Sequence, residues 1–265
     1  MKTELDVRTY NREAWNGEVG RGNKWTLPVS PEVIAAARRG DWSVVLTPTK
    51  PVPRAWFGDL KGKDVLGLAS AGGQQCPVLA AAGANVTVFD NSPAQLGQDR
   101  KVAEREGLTL QYVEGDMRNL SAFADGSFDL IFHPCSNCFA EEILPVWREA
   151  FRVLRPGGVL LSGICNPVRY LFDPVEEEKG VMRLKYTMPY SDFTSLTDEE
   201  RRRYTDKDEP MVVGHSLEDQ LGGQMEAGFV LTNLFEDNYE GEKDLLSTFL
   251  PTFMATRALK PVSRS

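Results

Sequence analysis

The sequence predicts an α/β protein built on a seven-stranded, mostly parallel sheet with helices on both faces. Three observations carry that reading. From Asp64 onward, short apolar and β-branched runs alternate with helix-like segments. The first run, residues 65–68, breaks into Ala69-Ser70-Ala71-Gly72-Gly73 and then into an alanine-rich stretch suited to a helix. Asp90 closes the second run, about twenty residues past that turn. Strand, small-residue turn and helix in this order open a βαβ unit that binds a nucleotide-like ligand, because a large side chain in the turn would hold the ligand off the backbone.

Composition sets the bounds. The chain has 265 residues, 42% of them apolar, enough for one large domain or a domain with a small cap. No charged and then apolar leader opens the sequence, and no apolar run is long enough to cross a bilayer, so a cytoplasmic protein without membrane attachment is expected. A net charge of −8 and an isoelectric point near 5.0 argue against a polyanionic partner such as nucleic acid. The four cysteines, Cys76, Cys135, Cys138 and Cys165, read as free thiols in a reducing compartment. Cys135 and Cys138 form a lone C-x-x-C; with two histidines in the chain and no second ligand pair, no metal site is expected.

Taken in order, residues 1–62 read as an N-terminal helical cap and linker. Tyr10, Ala14 and Trp15 share one face of a first helix. Ser30 as N-cap, Pro31 at the first helical position and Gly40 as terminator mark a second. Trp15 and Trp25 either pack the cap onto the main domain or close over a ligand. Pro48, Pro51 and Pro53 predict an extended linker. The core follows over residues 63–165 and 215–265. Its strands are expected at 65–68, 85–90, 108–114, 128–133, 159–164, 229–235 and 249–259. Helices are expected at 74–82, at 93–106 behind Ser92-Pro93 with Gln95 in the capping-box position, at 142–154, and after Ser216. Residues 166–214 form an insertion, aromatic at first and then heavily charged. So long a connection predicts a lid or substrate-facing element.

Several motifs in this order resemble the class I S-adenosylmethionine-dependent methyltransferases, in particular the branch acting on small molecules. The resemblance spans roughly residues 64–260. Val65-Leu66-Gly67-Leu68-Ala69-Ser70-Ala71-Gly72-Gly73 stands where the family has its glycine-rich first motif. Val88-Phe89-Asp90-Asn91-Ser92 resembles the second, whose acidic residue takes the ribose hydroxyls. Glu114-Gly115-Asp116-Met117 resembles the adenine loop. Phe128-Asp129-Leu130-Ile131-Phe132-His133 fits the strand to the transfer site, and Leu154-Arg155-Pro156-Gly157-Gly158 the turn into strand five. The resemblance implies a Rossmann-like fold, S-adenosyl-L-methionine as cofactor, and cofactor contacts from Gly67, Ala69, Ser70, Gly72, Gly73, Gln74, Asp90, Asn91, Asp116, Met117 and His133. The chain departs from the family in having Gly67 where an acidic residue is usual, and Ala69 and Ala71 where glycines are. Loop carbonyls, or the amides of Gln74 and Gln75, are the available substitutes for that carboxylate.

The residues leave other roles open. Asp90 bridges a ribose diol or complements the dipole of the helix after it. Asp116 accepts from an adenine amino group or serves its own turn, and Met117 offers the ring a polarizable face. His133 and His215 are the candidate general bases, or else satisfy turns and caps. Tyr10, Trp15, Trp25, Asn137, Asn166 and Tyr170 are the candidate acceptor contacts, and their aromatics point to an apolar or aromatic small molecule. Rival readings are a cytosine-C5-like nucleic-acid methyltransferase using Cys135, an NAD(P)-dependent oxidoreductase using Gly67-x-Ala69-x-x-Gly72 with Asp90, and a silent binder.

Overall fold

The computed structural model describes residues 6–239 and 244–262. Helix α1 (Val7–Arg21) starts at Asp6, whose side chain accepts from the Thr9 amide, and ends at Gly22. Helix α2 is Pro31–Arg38; Ser30 precedes it without a side-chain cap bond, so Pro31 alone marks its start. The core runs β1 (Asp64–Leu68), α3 (Gln75–Ala81), β2 (Asn85–Asp90), α4 (Pro93–Glu106), β3 (Leu110–Glu114), β4 (Phe128–His133), α5 (Leu144–Val153) and β5 (Leu154–Cys165). Helix α6 (Pro174–Glu177), strand β6 (Tyr190–Ser191), helix α7 (Asp198–Thr205) and strand β7 (Val213–Gly214) make up the insertion. Helix α8 (Gly223–Glu226), β8 (Val230–Asp237) and β9 (Phe253–Leu259) complete the fold.

The seven long strands form one sheet in the order β3-β2-β1-β4-β5-β9-β8. β1 to β5 are parallel, and β9 runs antiparallel to both β5 and β8. This is the seven-stranded, Rossmann-like architecture the sequence predicts. Alternation along each strand divides the core in two. Val65, Leu130, Phe132 and Leu161 face a layer with Leu79, Ile34 and Phe57. Leu66, Leu68, Ile131 and Leu160 face another centred on Trp147 of α5. β1 and β4 are neighbours although two strands separate them in the chain, so the order reverses there and a crevice opens above their carboxyl ends.

Several boundaries differ from expectation for local reasons. The final strand begins at Phe253, not 249, because residues 246–248 form a 3₁₀ turn. The helix after Ser216 opens with a π turn over residues 218–222 before α8, although Ser216 does accept from the Asp219 amide. Ser92 caps α4 through the Gln95 amide, but the Gln95 side-chain oxygen has no partner among the described residues, so the reciprocal arm of the capping box is not made. The proline segment is no extended linker. Val45 and Pro51 bridge antiparallel, the Val52 amide donates to Val44, and the Cys135 amide donates to the Leu46 carbonyl, which ties the loop onto the end of β4.

Candidate functional site

A cavity of about 410 Å³ occupies the crevice above the β1–β4 switch point. One side is the turn out of β1. Ala69 takes a left-handed conformation with φ +46°, which costs an L-residue energy and bends the chain sharply off the sheet. The Ala71 amide donates to the Asp90 carboxylate at 3.2 Å, and the Ser92 amide donates to it at 2.9 Å. Burial pushes Asp90 up to about 6, against those hydrogen bonds. Asn91, Gly115, Asp116 and Met117 extend this end of the lining.

Asp116 is not free to serve only a ligand. Arg118 grips it with both nitrogens, at 2.7 and 3.0 Å to one carboxylate oxygen. Burial opposes its charge, but the Arg118 hydrogen bonds prevail and hold the carboxyl below its usual range. Asn91 is tied at both ends to Arg8 of α1, by a 3.0 Å bond from Arg8 Nε and another from its own amide to the Arg8 carbonyl.

The structure gathers Ala69, Ser70, Gln74, Asp90, Asn91, Asp116 and Met117 around the cavity, together with Trp15, Trp25 and Tyr170. The other expected residues lie elsewhere. Gly67 lies under the turn, where an added Cβ would collide with Cys76 Sγ, so it lets α3 pack on β1. Gly72 and Gly73 face α4; a Cβ on Gly72, at φ +121°, would sit 2.6 Å from the Trp25 carbonyl. Their amides donate to Asp99 of α4 at 2.7 and 2.9 Å. Asp99 is fully buried, has one oxygen without a partner among the described residues, and is pushed up to about 7 by burial. Sequence reading missed it because a carboxylate in mid-helix resembles any solvated position.

Neither histidine reaches the cavity wall. His133 is fully buried, with Nδ1 2.8 Å from the Leu68 carbonyl and Nε2 bonded to the Asn137 side chain. His215 Nε2 lies 3.1 and 3.0 Å from the carbonyls of Asn137 and Ala140. Burial lowers both imidazoles below their ordinary value, the reverse of what a proton acceptor in catalysis needs. Asn137 is spent on His133 and on Gln220, at 3.0 Å. Asn166 caps the turn at residues 167–170 and donates to the Pro251 carbonyl. Tyr10 fastens α1 to the insertion, donating to the Glu209 carbonyl at 2.8 Å with its ring edge-on to Phe193.

The proline loop was missed entirely as a site element: Leu46, Thr47 and Pro48 form part of the wall. Phe139, Arg169, Tyr239 and Phe253 also line the cavity, with the Arg169 guanidinium over the rings of Tyr239 and Phe253. Among the described residues, no group of three or more histidine, cysteine or carboxylate side chains is placed to hold a metal ion. No helix of these residues is long and apolar enough to cross a membrane.

Residues 66–162 match the family model described as a methyltransferase domain. The chain is 49% identical over 251 residues to an uncharacterized methyltransferase, YbaJ, of Bacillus subtilis, covering 95% of this chain and 97% of that one. The chain belongs to the class I S-adenosylmethionine-dependent methyltransferases. It is also 35% identical over 106 residues to a sterol 24-C-methyltransferase of Aspergillus fumigatus, 39% of this chain and 28% of that enzyme. A solved S-adenosylmethionine-dependent methyltransferase from Mesorhizobium loti superposes with a TM-score of 0.61 at 17% identity, over 78% of this chain and 94% of that one, a likeness of fold.

S-Adenosylmethionine is therefore the cofactor, and the oxidoreductase reading falls. The donor set fits it: a strand-end carboxylate for a diol, and a thioether with a backbone glycine for a flat ring, beside a turn of small residues.

Proposed function

We propose that this methyltransferase acts on a small apolar or aromatic molecule, held beneath a lid formed by residues 166–214 with α1. The aromatic lining supports the reading most directly: Trp15, Trp25, Phe139, Tyr170, Tyr239 and Phe253 all contribute to the cavity wall. The net charge of −8 disfavours nucleic acid in the same place. The stretch shared with a sterol methyltransferase points the same way.

The bound cofactor supplies an activated methyl carbon, so alignment and exclusion of water are left to the protein. In this reading Asp90 and Asn91 hold the ribose, and Gly115 and Met117 the adenine, with Asp116 kept in place by Arg118. Ala69, Ser70 and Gln74 shape the turn beside the donor. α1 closes the site: Asn11 both donates to the Met211 carbonyl and accepts from its amide, at 2.9 and 3.0 Å. Trp15 packs edge-on against Phe139, 5.1 Å between ring centres. The lining holds no histidine, so an acceptor with no proton to lose on attack suits it best.

The test is a screen of apolar and aromatic acceptors, with formation of S-adenosylhomocysteine as readout. Stimulated turnover with a member of these classes supports the reading. Stimulation by DNA or RNA alone, lost in Cys135→Ser, overturns it in favour of a nucleic-acid substrate.

A further inference from the structure

Three thiols meet at the aromatic end of the cavity. Cys135 follows β4, Cys138 lies in the 3₁₀ turn at residues 137–139, and Cys165 ends β5; all three line the wall. The parallel pairing of His133 with Ser162 brings these chain ends out at the same edge of the sheet. Gly163 permits the approach, since a Cβ there would lie 2.9 Å from the Cys135 nitrogen and collide with the Leu46 carbonyl. Cys135, Cys138 and the Tyr170 phenol all neighbour Cys165 closely enough to act on its proton. The fourth cysteine, Cys76, sits apart beneath the β1 turn, against Gly67.

The three sulfurs are not equivalent. The two thiol donors hold Cys165 well below the ordinary thiol range, over the opposition of burial and with help from the Arg169 guanidinium. Burial and the shared proton push Cys135 and Cys138 up. Arg169 is itself anchored by Asp244 at 2.6 Å. Three neighbouring sulfurs in a partly apolar wall, Cys165 the most readily deprotonated of them, are a soft donor set. It is no zinc centre, because no three such groups among the described residues are arranged for a metal ion. A ligand that asks for two sulfurs is a better match, and all four cysteines are free thiols.

We propose that Cys165 and one of its two thiol neighbours form a dithiol site that captures a trivalent arsenical carrying one organic group. The proposal deepens the reading above and rests on it, since the site lies where the methyl acceptor is placed. Capture exchanges the two As–O bonds of R–As(OH)₂ for two As–S bonds. Cys165 forms the first and the neighbouring sulfur the second. The two hydroxyl groups leave as water, each with one thiol proton, and no electrons are transferred. The organic group rests on the rings of Tyr170 and Phe253. An arsenic(III) centre keeps a lone pair and bears no proton, so it needs no general base in a wall without histidine.

Phenylarsine oxide is the probe. The expected result for the folded chain is one phenylarsenic group by native mass spectrometry and two thiols protected from Ellman's reagent. Cys165→Ser, and the double variant Cys135→Ser/Cys138→Ser, should each weaken capture by roughly a hundredfold or more, because a single As–S bond loses the chelate. Cys76→Ala should capture normally. Calorimetry with S-adenosylhomocysteine on the same samples shows that each variant is folded, and it fails separately if the cofactor assignment is at fault. Unprotected thiols, undiminished capture by Cys165→Ser, or a starting protein two hydrogens lighter with a disulfide at this position would each overturn the proposal.

Discussion

The Asp99 carboxylate lies 2.7 Å from the backbone nitrogen of Gly72. It also accepts from Gly73, while Asp90 accepts from Ala71, so carboxylates from two different elements hold three successive amides of one turn. The turn that shapes the donor end of the cavity is thus held from behind by α4 and from the side by β2.

Asp99→Ala should remove the acceptor from two buried amides, at a cost of about 2–4 kcal/mol in stability. Asp99→Asn keeps a carbonyl oxygen and should lose less. Chemical denaturation of the two variants checks the order; equal losses would mean that the turn does not depend on this acceptor.

The same two carboxylates set a pH dependence. Burial raises Asp99 to about 7 and Asp90 to about 6, whereas both are ordinary in the unfolded chain. Between those values the native state holds more protons, so stability falls as pH rises from about 4 to 7 and levels off above. Thermal melts of the ligand-free protein should show this fall, and Asp99→Asn should flatten it. Affinity for S-adenosylhomocysteine should move the other way, weakening below about pH 6 as Asp90 protonates and ceases to accept from hydroxyls.

His133 lies between Leu68 and Asn137 and out of reach of the cavity. His133→Ala should therefore cost about 2–4 kcal/mol in stability through a buried hole and unpaired groups. The folded fraction should keep its pH–rate profile. Loss of the profile's acidic limb would restore the histidine as a base.

Asn11 and Trp15 are where α1 closes the site. Asn11→Ala breaks both bonds to Met211 and should make residues 166–214 more open to limited proteolysis, with a stability loss of about 1–3 kcal/mol. Trp15→Ala should raise the acceptor KM while leaving S-adenosylhomocysteine affinity within about threefold. A reversed pattern would place the acceptor elsewhere.

The fold was legible because strand patterning and turn chemistry are local. Asp90 at a strand end and Ser92-Pro93 at a helix start act within a few residues of themselves. What the sequence did not disclose was long-range. Asp99 reaches the turn across 27 positions, and nothing beside it in the chain signals a buried acceptor. His133 looked catalytic because it ends a strand at the transfer edge, but its ring turns under the sheet toward Leu68. Residues 45–48 looked like a spacer until Leu46 paired with Cys135. The thiol group was half visible: Cys135 and Cys138 are close in sequence, but only the β4–β5 pairing adds Cys165.

The measurement that bears most directly on the account is calorimetric titration of S-adenosylhomocysteine into wild-type protein and Asp90→Asn near neutral pH. One site per chain is expected in the wild type, with a loss of affinity of about tenfold or more in the variant. An absence of binding, or equal binding by both proteins, would contradict it.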